Sequence, residues 1–198
     1  LFSCESAAKT LFWDAMLTYG AGESTRSEFQ ARLRYLVESF DFDRRLPHVR
    51  GMARMLTGMI EEDAEHAARV APDPEQSPEA RIADLIFALR DQRGSATTIP
   101  GECELQGPPA DELVRIGLPA VPQLIEALHD PRLTRMIEDL RPFYFSHSVL
   151  RVGDAALRIL ARIARRQLLS RYAPTEGLLL DGRWLEVRRA VEAWWQRA

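Results

Sequence analysis

The 198-residue chain holds two cysteines, four histidines and a single lysine, Lys9, and these scarcities narrow what it can do. Cys4 and Cys103 form no CxxC spacing, so neither a disulfide framework nor a zinc site is signalled, and both read as free thiols. No run approaches the ~18 to 20 uncharged apolar residues of a membrane span. There is no GxSxG elbow, no phosphate-cradling glycine loop and no dinucleotide fingerprint, so no cofactor is implied. Excess positive charge is missing too. Twenty-six basic against 29 acidic side chains give −3, which argues against coating nucleic acid or anionic lipid over the whole surface. The basic part is the tail, where residues 151–198 hold 10 arginines against 5 acids. With one lysine in the chain, nearly every cation is a guanidinium, which fits a GC-rich genome or a preference for bidentate contacts.

What is present is an ordinary globular composition, 46% hydrophobic and 28% charged. Apolar residues recur at helical spacing and nowhere alternate with period two, which predicts an all-α chain of about eight helices with no significant sheet. Ala8, Leu11, Phe12, Ala15 and Tyr19 form a first stripe, broken by Gly20 and Gly22. Thr25 with Glu28 is a capping box opening a second helix with Phe29, Leu33, Leu36, Val37 and Phe40 inward. A third helix follows Pro47, with Val49, Met52, Leu56, Met59 or Ile60, Ala64 and Ala67 as its face. Pro72 to Pro78 reads as a linker, dividing a helical region at 1–75 from a second region at 76–198. Ser77-Pro78-Glu79 is itself a helix start, followed by Ile82, Leu85, Ile86 and Leu89. Asp91 to Pro109 loses the pattern and reads as a long loop. Helices resume over 110–117, 119–128, 151 to about 169, and 183–196. The last of these carries Trp184, Val187, Val191, Trp194 and Trp195, an aromatic face that reads as a packing seam.

Residues 110–130, ADELVRIGLPAVPQLIEALHD, resemble a bacterial HEAT-like helical repeat. The matching positions are Ala110, Leu113, Ile116, Gly117, Ala120, Val121, Pro122, Leu124, Ile125, Ala127, Leu128 and Asp130. Val149 to Ala164 would be the partner helix, so the resemblance is strongest over 110–164, with a weaker echo at Glu186 to Trp195. It implies antiparallel helix pairs stacked as a short α-solenoid, because each pair has one apolar face that only a neighbour can bury. It carries no activity, since HEAT-like proteins include scaffolds, phycobilin lyases, deoxyhypusine hydroxylases and DNA glycosylases. Where the repeat expects a short turn, 18 residues intervene, Pro131 to Ser148. This insertion mixes guanidinium and aromatic side chains, Arg132, Arg135 and Arg141 beside Phe143, Tyr144, Phe145 and His147. They read either as pins holding the insertion to the core or, with Arg151, as a binding surface for another protein or peptide.

Two other functions remain open at this point. Arg158, Arg162, Arg165 and Arg166 recur at helical spacing and could track phosphates, although a solvated outer helix face explains them equally. An enzyme would need Cys103 and His147 to meet between the 91–109 loop and the 131–148 insertion, and no catalytic residue is assigned. Asp63 with His66 and Glu126 with His129 have the three-residue spacing of di-iron bundles, but no bridging glutamates accompany them and no metal is assigned. The chain is expected to be soluble. It would be cytoplasmic or, where an N-terminal signal has been removed, periplasmic, and Leu1-Phe2-Ser3-Cys4 resembles the end of a bacterial lipoprotein signal.

Overall fold

The structure, a computed structural model, describes residues 4–39, 47–69, 76–97, 105, 108–139, 147–165, 168 and 184–197. The chain divides into two compact units, Leu1–Glu75 and Gln76–Ala198. It is predominantly helical. Among the described residues no helix is long and apolar enough to cross a membrane.

In the first unit α1 (Cys4–Gly20), α2 (Arg26–Ser39) and α3 (Pro47–Arg69) pack on one another. Ala8, Phe12, Ala15, Met16 and Tyr19 bury one side of α1, and Tyr19 stacks on Phe29 of α2 with ring centroids 4.5 Å apart. Leu11, expected in this stripe, is instead 41% exposed. The neighbouring helices cover the Met16 side of the stripe and leave the Leu11 side to solvent. Gly22 closes α1 at φ +77°, a backbone state that a side chain would strain. The Thr25–Glu28 capping box forms: the Thr25 N–H donates to Glu28 Oε2 at 2.8 Å and the Glu28 N–H donates to Thr25 Oγ1 at 3.2 Å. The Thr25 backbone N–H first, and then the Thr25 hydroxyl, which donates to the same Oε2 at 2.9 Å, hold the Glu28 carboxyl below its ordinary pKa. Along α3 the buried face is Val49, Ala53, Leu56, Met59, Ile60 and Asp63, whereas Met52 is half-buried and Ala64 exposed.

The second unit opens with α4 (Pro78–Ala88), whose cap Ser77 accepts the Ala80 N–H at 3.2 Å. One turn of 3-10 helix (Leu89–Asp91) leads into β1 (Arg93–Thr97). Then come α5 (Pro108–Ile116), a 3-10 turn (Leu118–Ala120), α6 (Val121–Ala127), β2 (Leu133–Asp139), β3 (His147–Arg151), α7 (Val152–Ala164) and α8 (Trp184–Trp195). The helical core joins Leu113, Val121, Leu124, Ile159, Leu160, Val187, Val191 and Trp194. Trp194 therefore packs as the aromatic seam predicted, while Trp195 is half-buried.

The departure from helix is a three-stranded sheet in the order β1-β2-β3. β1 runs parallel to β2 with Arg93 opposite Arg135, and β2 runs antiparallel to β3 with Ile137 opposite Val149. The sheet occupies part of the expected loop and part of the expected insertion, and it is small against the helices, so the body keeps the all-α character expected of it. Val149 to Arg151, expected to begin a helix, lie in β3, and α7 starts at Val152. It ends at Ala164, before the expected 169, with Arg165 in the left-handed region at φ 51°. α6 and α7 meet closely at Gly153, where an added Cβ would stand 2.6 Å from the Leu128 carbonyl oxygen. The Val152 N–H donates to Arg132 O at 2.8 Å and the Gly153 N–H to Asp130 O at 3.1 Å, tying the start of α7 to the turn before β2.

Candidate functional site

The two segments that broke the helical pattern become neighbours, because β1 belongs to the first and β2 to the second. What holds them is an arginine. Arg135 of β2 is fully buried, donates from a guanidinium nitrogen to the Arg90 carbonyl oxygen, and lies 3.7 Å from Asp91. Its backbone N–H donates to Gln92 O at 3.0 Å. Gln92, also buried, accepts the Ala110 N–H at 3.3 Å and so fixes the start of α5. Thr134 Oγ1 donates to Leu150 O at 2.8 Å and accepts the Met136 N–H at 3.0 Å, joining β2 to β3 within the buried layer. Gln92, Thr134 and Arg135 are tolerated here because each directs at least one polar atom at a main-chain partner.

A more open rim borders this anchor. Asp130 accepts the Arg132 backbone N–H at 3.0 Å and the same residue's Nε at 2.8 and 2.9 Å. That ion pair sets the Arg132 guanidinium 6.0 Å from the centroid of the half-buried Phe87 ring. Arg90, fully buried, lies over the same ring at 4.6 Å. The Arg132 side chain remains 41% exposed. A guanidinium whose fork is occupied by a carboxylate is poorly placed to capture phosphate, whereas its planar face and the adjacent ring suit contact with another side-chain surface.

The structure sorts the sequence candidates accordingly. Arg132 lies on the rim, but Arg135 is an internal anchor rather than a contact residue, because its guanidinium is spent on Arg90 O and Asp91. Arg151 is half-buried and caps α7 through its backbone N–H, which donates to Asp154 Oδ2 at 2.9 Å. His147 stands in β3 opposite Asp139, and its side chain lies outside the description, as do Phe143, Tyr144, Arg141, Phe145 and Cys103. Phe87, Arg90 and Asp130 were missed, although the Phe87 to Arg90 spacing places both on one helical face and Asp130-x-Arg132 is a local ion-pair spacing.

The arginine row of α7 is interrupted by an internal pair. Arg162 directs both terminal nitrogens at Asp111 Oδ1, each at 3.0 Å, and also approaches Leu105 O at 3.5 Å. Arg158 is half-buried, Arg165 is exposed at the helix end, and Arg166 lies outside the described residues. The Glu126 and His129 pair converges on a guanidinium: Arg188 of α8 lies 3.3 Å from Glu126 Oε1 and 2.9 Å from His129 Nε2. Arginine has no acceptor, so Nε2 is the acceptor. Glu192, at 2.6 Å from Arg188 Nε, is the first cause that raises the Arg188 pKa. Among the described residues no cluster of three potential metal ligands occurs. Arg81 and Arg115 both pair with Glu112, and the Arg81 hydrogen bond is the main cause lowering its carboxyl pKa.

No family model matches the chain, and neither a curated protein nor a solved structure matches it.

Proposed function

We propose that the chain is a protein- or peptide-binding module of the scaffold type, with its second unit built on HEAT-like helix stacking. The observation that carries this reading is the joining of β1 and β2, which gathers the two non-helical segments into one sheet beside the Phe87–Arg132 rim. Stacking is supported by the packing of α5 and α6 against α7 and by the close approach at Gly153. A half-buried aromatic ring flanked by guanidinium groups is the side-chain mixture that concentrates binding energy in protein contacts. The partner engages the rim, and Arg135 keeps the sheet rigid behind it.

The test is site-specific photo-crosslinking in cells. A photoreactive residue at position 132 is expected to capture a defined partner, and the same residue at position 81 is expected not to. Phe87→Ala should abolish that capture without altering the helical signal. Equal capture from both positions, or capture indifferent to Phe87→Ala, refutes the assignment.

A further inference from the structure

The far end of the sheet gathers residues that neither the rim nor the helical core uses. Register places Asp139, the last residue of β2, opposite both Thr97, the last of β1, and His147, the first of β3. One row across three strands therefore holds a hydroxyl, a carboxylate and an imidazole residue. The main-chain pattern sharpens the second pairing. The Arg135 N–H donates to Gln92 O, and the β1–β2 register is unbroken from Arg135 to Asp139, so Arg135, Ile137 and Asp139 turn their main-chain groups toward β1. Glu138 is left to bond Ser148 across the antiparallel ladder, which makes Asp139 and His147 a non-hydrogen-bonded pair. That is the closer of the two antiparallel relations, with Cα atoms about 4.5 Å apart.

We propose that Asp139 and His147 bind a divalent first-row cation of the nickel–zinc type, with water in the remaining positions. Imidazole and carboxylate are ligands that such ions accept at about 2 Å, and here each strand supplies one. The ion clamps β2 to β3 where their ladder ends.

The surroundings of the pair fit that occupant. Two positions inward on the same face, Ile137 stands opposite Val149, and both are buried, so the pair borders a dry apolar wall beside which ion–ligand attraction is weakly screened. Met136 and Leu150, on the alternate face, belong to the helical core. The row therefore lies on the face turned away from that core. β2 is paired on both sides, which fixes the backbone that carries Asp139. Thr97, the third member of the row, is a residue type that accepts a hydrogen bond from a metal-bound water. The inference does not depend on the Phe87–Arg132 rim.

Calorimetric titration of the full chain with Ni²⁺ tests it. The wild type is expected to take up one ion in the micromolar range, and His147→Ala and Asp139→Asn should each weaken that binding by about tenfold or more. Asp139→His, which exchanges one accepted ligand type for another, should keep it. His66→Ala and His129→Ala remove the imidazoles that follow Asp63 and Glu126 by three positions, and neither should change it. Ni²⁺ should also raise the urea midpoint of the second unit in the wild type and in Asp139→His, but not in His147→Ala. Absence of binding up to millimolar Ni²⁺ overturns the inference. So does binding that follows His66 or His129, or binding that needs His147 and is indifferent to Asp139→Asn, since a lone imidazole then accounts for it.

Discussion

Replacing Gly153 by alanine tests the α6–α7 junction directly. The new Cβ would stand 2.6 Å from Leu128 O, 3.2 Å from Leu128 C and 3.4 Å from Asp130 O. All three are backbone atoms, so no side-chain rotation relieves the contact and the two helices must separate by several tenths of an ångström. Overpacking of this kind costs about 1 to 3 kcal/mol. The same movement stretches the Val152 and Gly153 hydrogen bonds to Arg132 O and Asp130 O, worth about 1 kcal/mol each. Against these stands the helix preference of alanine over glycine, at most about 1 kcal/mol. The expected net loss is therefore about 2 to 3 kcal/mol. Urea unfolding followed by tryptophan emission reads it cleanly, because Trp184, Trp194 and Trp195 belong to α8 of the same unit and only Trp13 lies elsewhere. Gly51→Ala, where the added atom meets nothing within 4 Å, is the matched control and should stabilise the first unit by about 0.5 to 1 kcal/mol. An alanine at 153 that leaves the urea midpoint unchanged or raises it refutes the close-packed junction.

Arg135→Ala should destabilise the second unit by about 3 kcal/mol, since it removes a buried cation facing Asp91 and leaves the Arg90 carbonyl without that donor; denaturant titration measures the loss. Thr25→Ala should cost the first unit about 1 kcal/mol by removing the α2 cap, visible as a lower helical signal in thermal melts. The Glu112 carboxyl has a folded pKa below its ordinary value near 4.5, so its pairing with Arg81 contributes fully above that pH and is lost as pH falls through the lower folded value. Glu112→Gln should therefore flatten the acid limb of stability against pH in the second unit, and an unchanged limb would count against the pairing.

The helices were legible because their signals are local. The Thr25–Glu28 box, the Ser77 cap and the Phe29, Leu33, Leu36 face each lie within a turn or two of the chain, where spacing alone decides the outcome. The sheet was not legible for the complementary reason. β1 is Arg-Gly-Ser-Ala-Thr, with no apolar alternation to announce a strand, and its pairing with β2 is made by main-chain groups that every residue carries. Arg135 misled by type, since guanidinium groups are usually exposed and only the position of Arg90 O and Asp91 gives this one a buried role. For the candidate site, sequence supplied Arg132 and the break in helical spacing after Asp130, while Phe87 became relevant only once the turn at Asp130 carried Arg132 toward it.

Parallel pairing joins β1 to a strand about forty positions later in the chain, with α5 and α6 between them. Synthesis proceeds from the N-terminus, so β1 emerges from the ribosome before its partner has been made. Its ladder forms only after two helices and the residues of β2 have followed, and closing so long a connection is slow compared with winding a helix. During that interval the backbone of residues 93–97 offers an unpaired template to whatever strand is nearby. A nascent chain stalled before Leu133 would hold that template open for as long as the stall lasts.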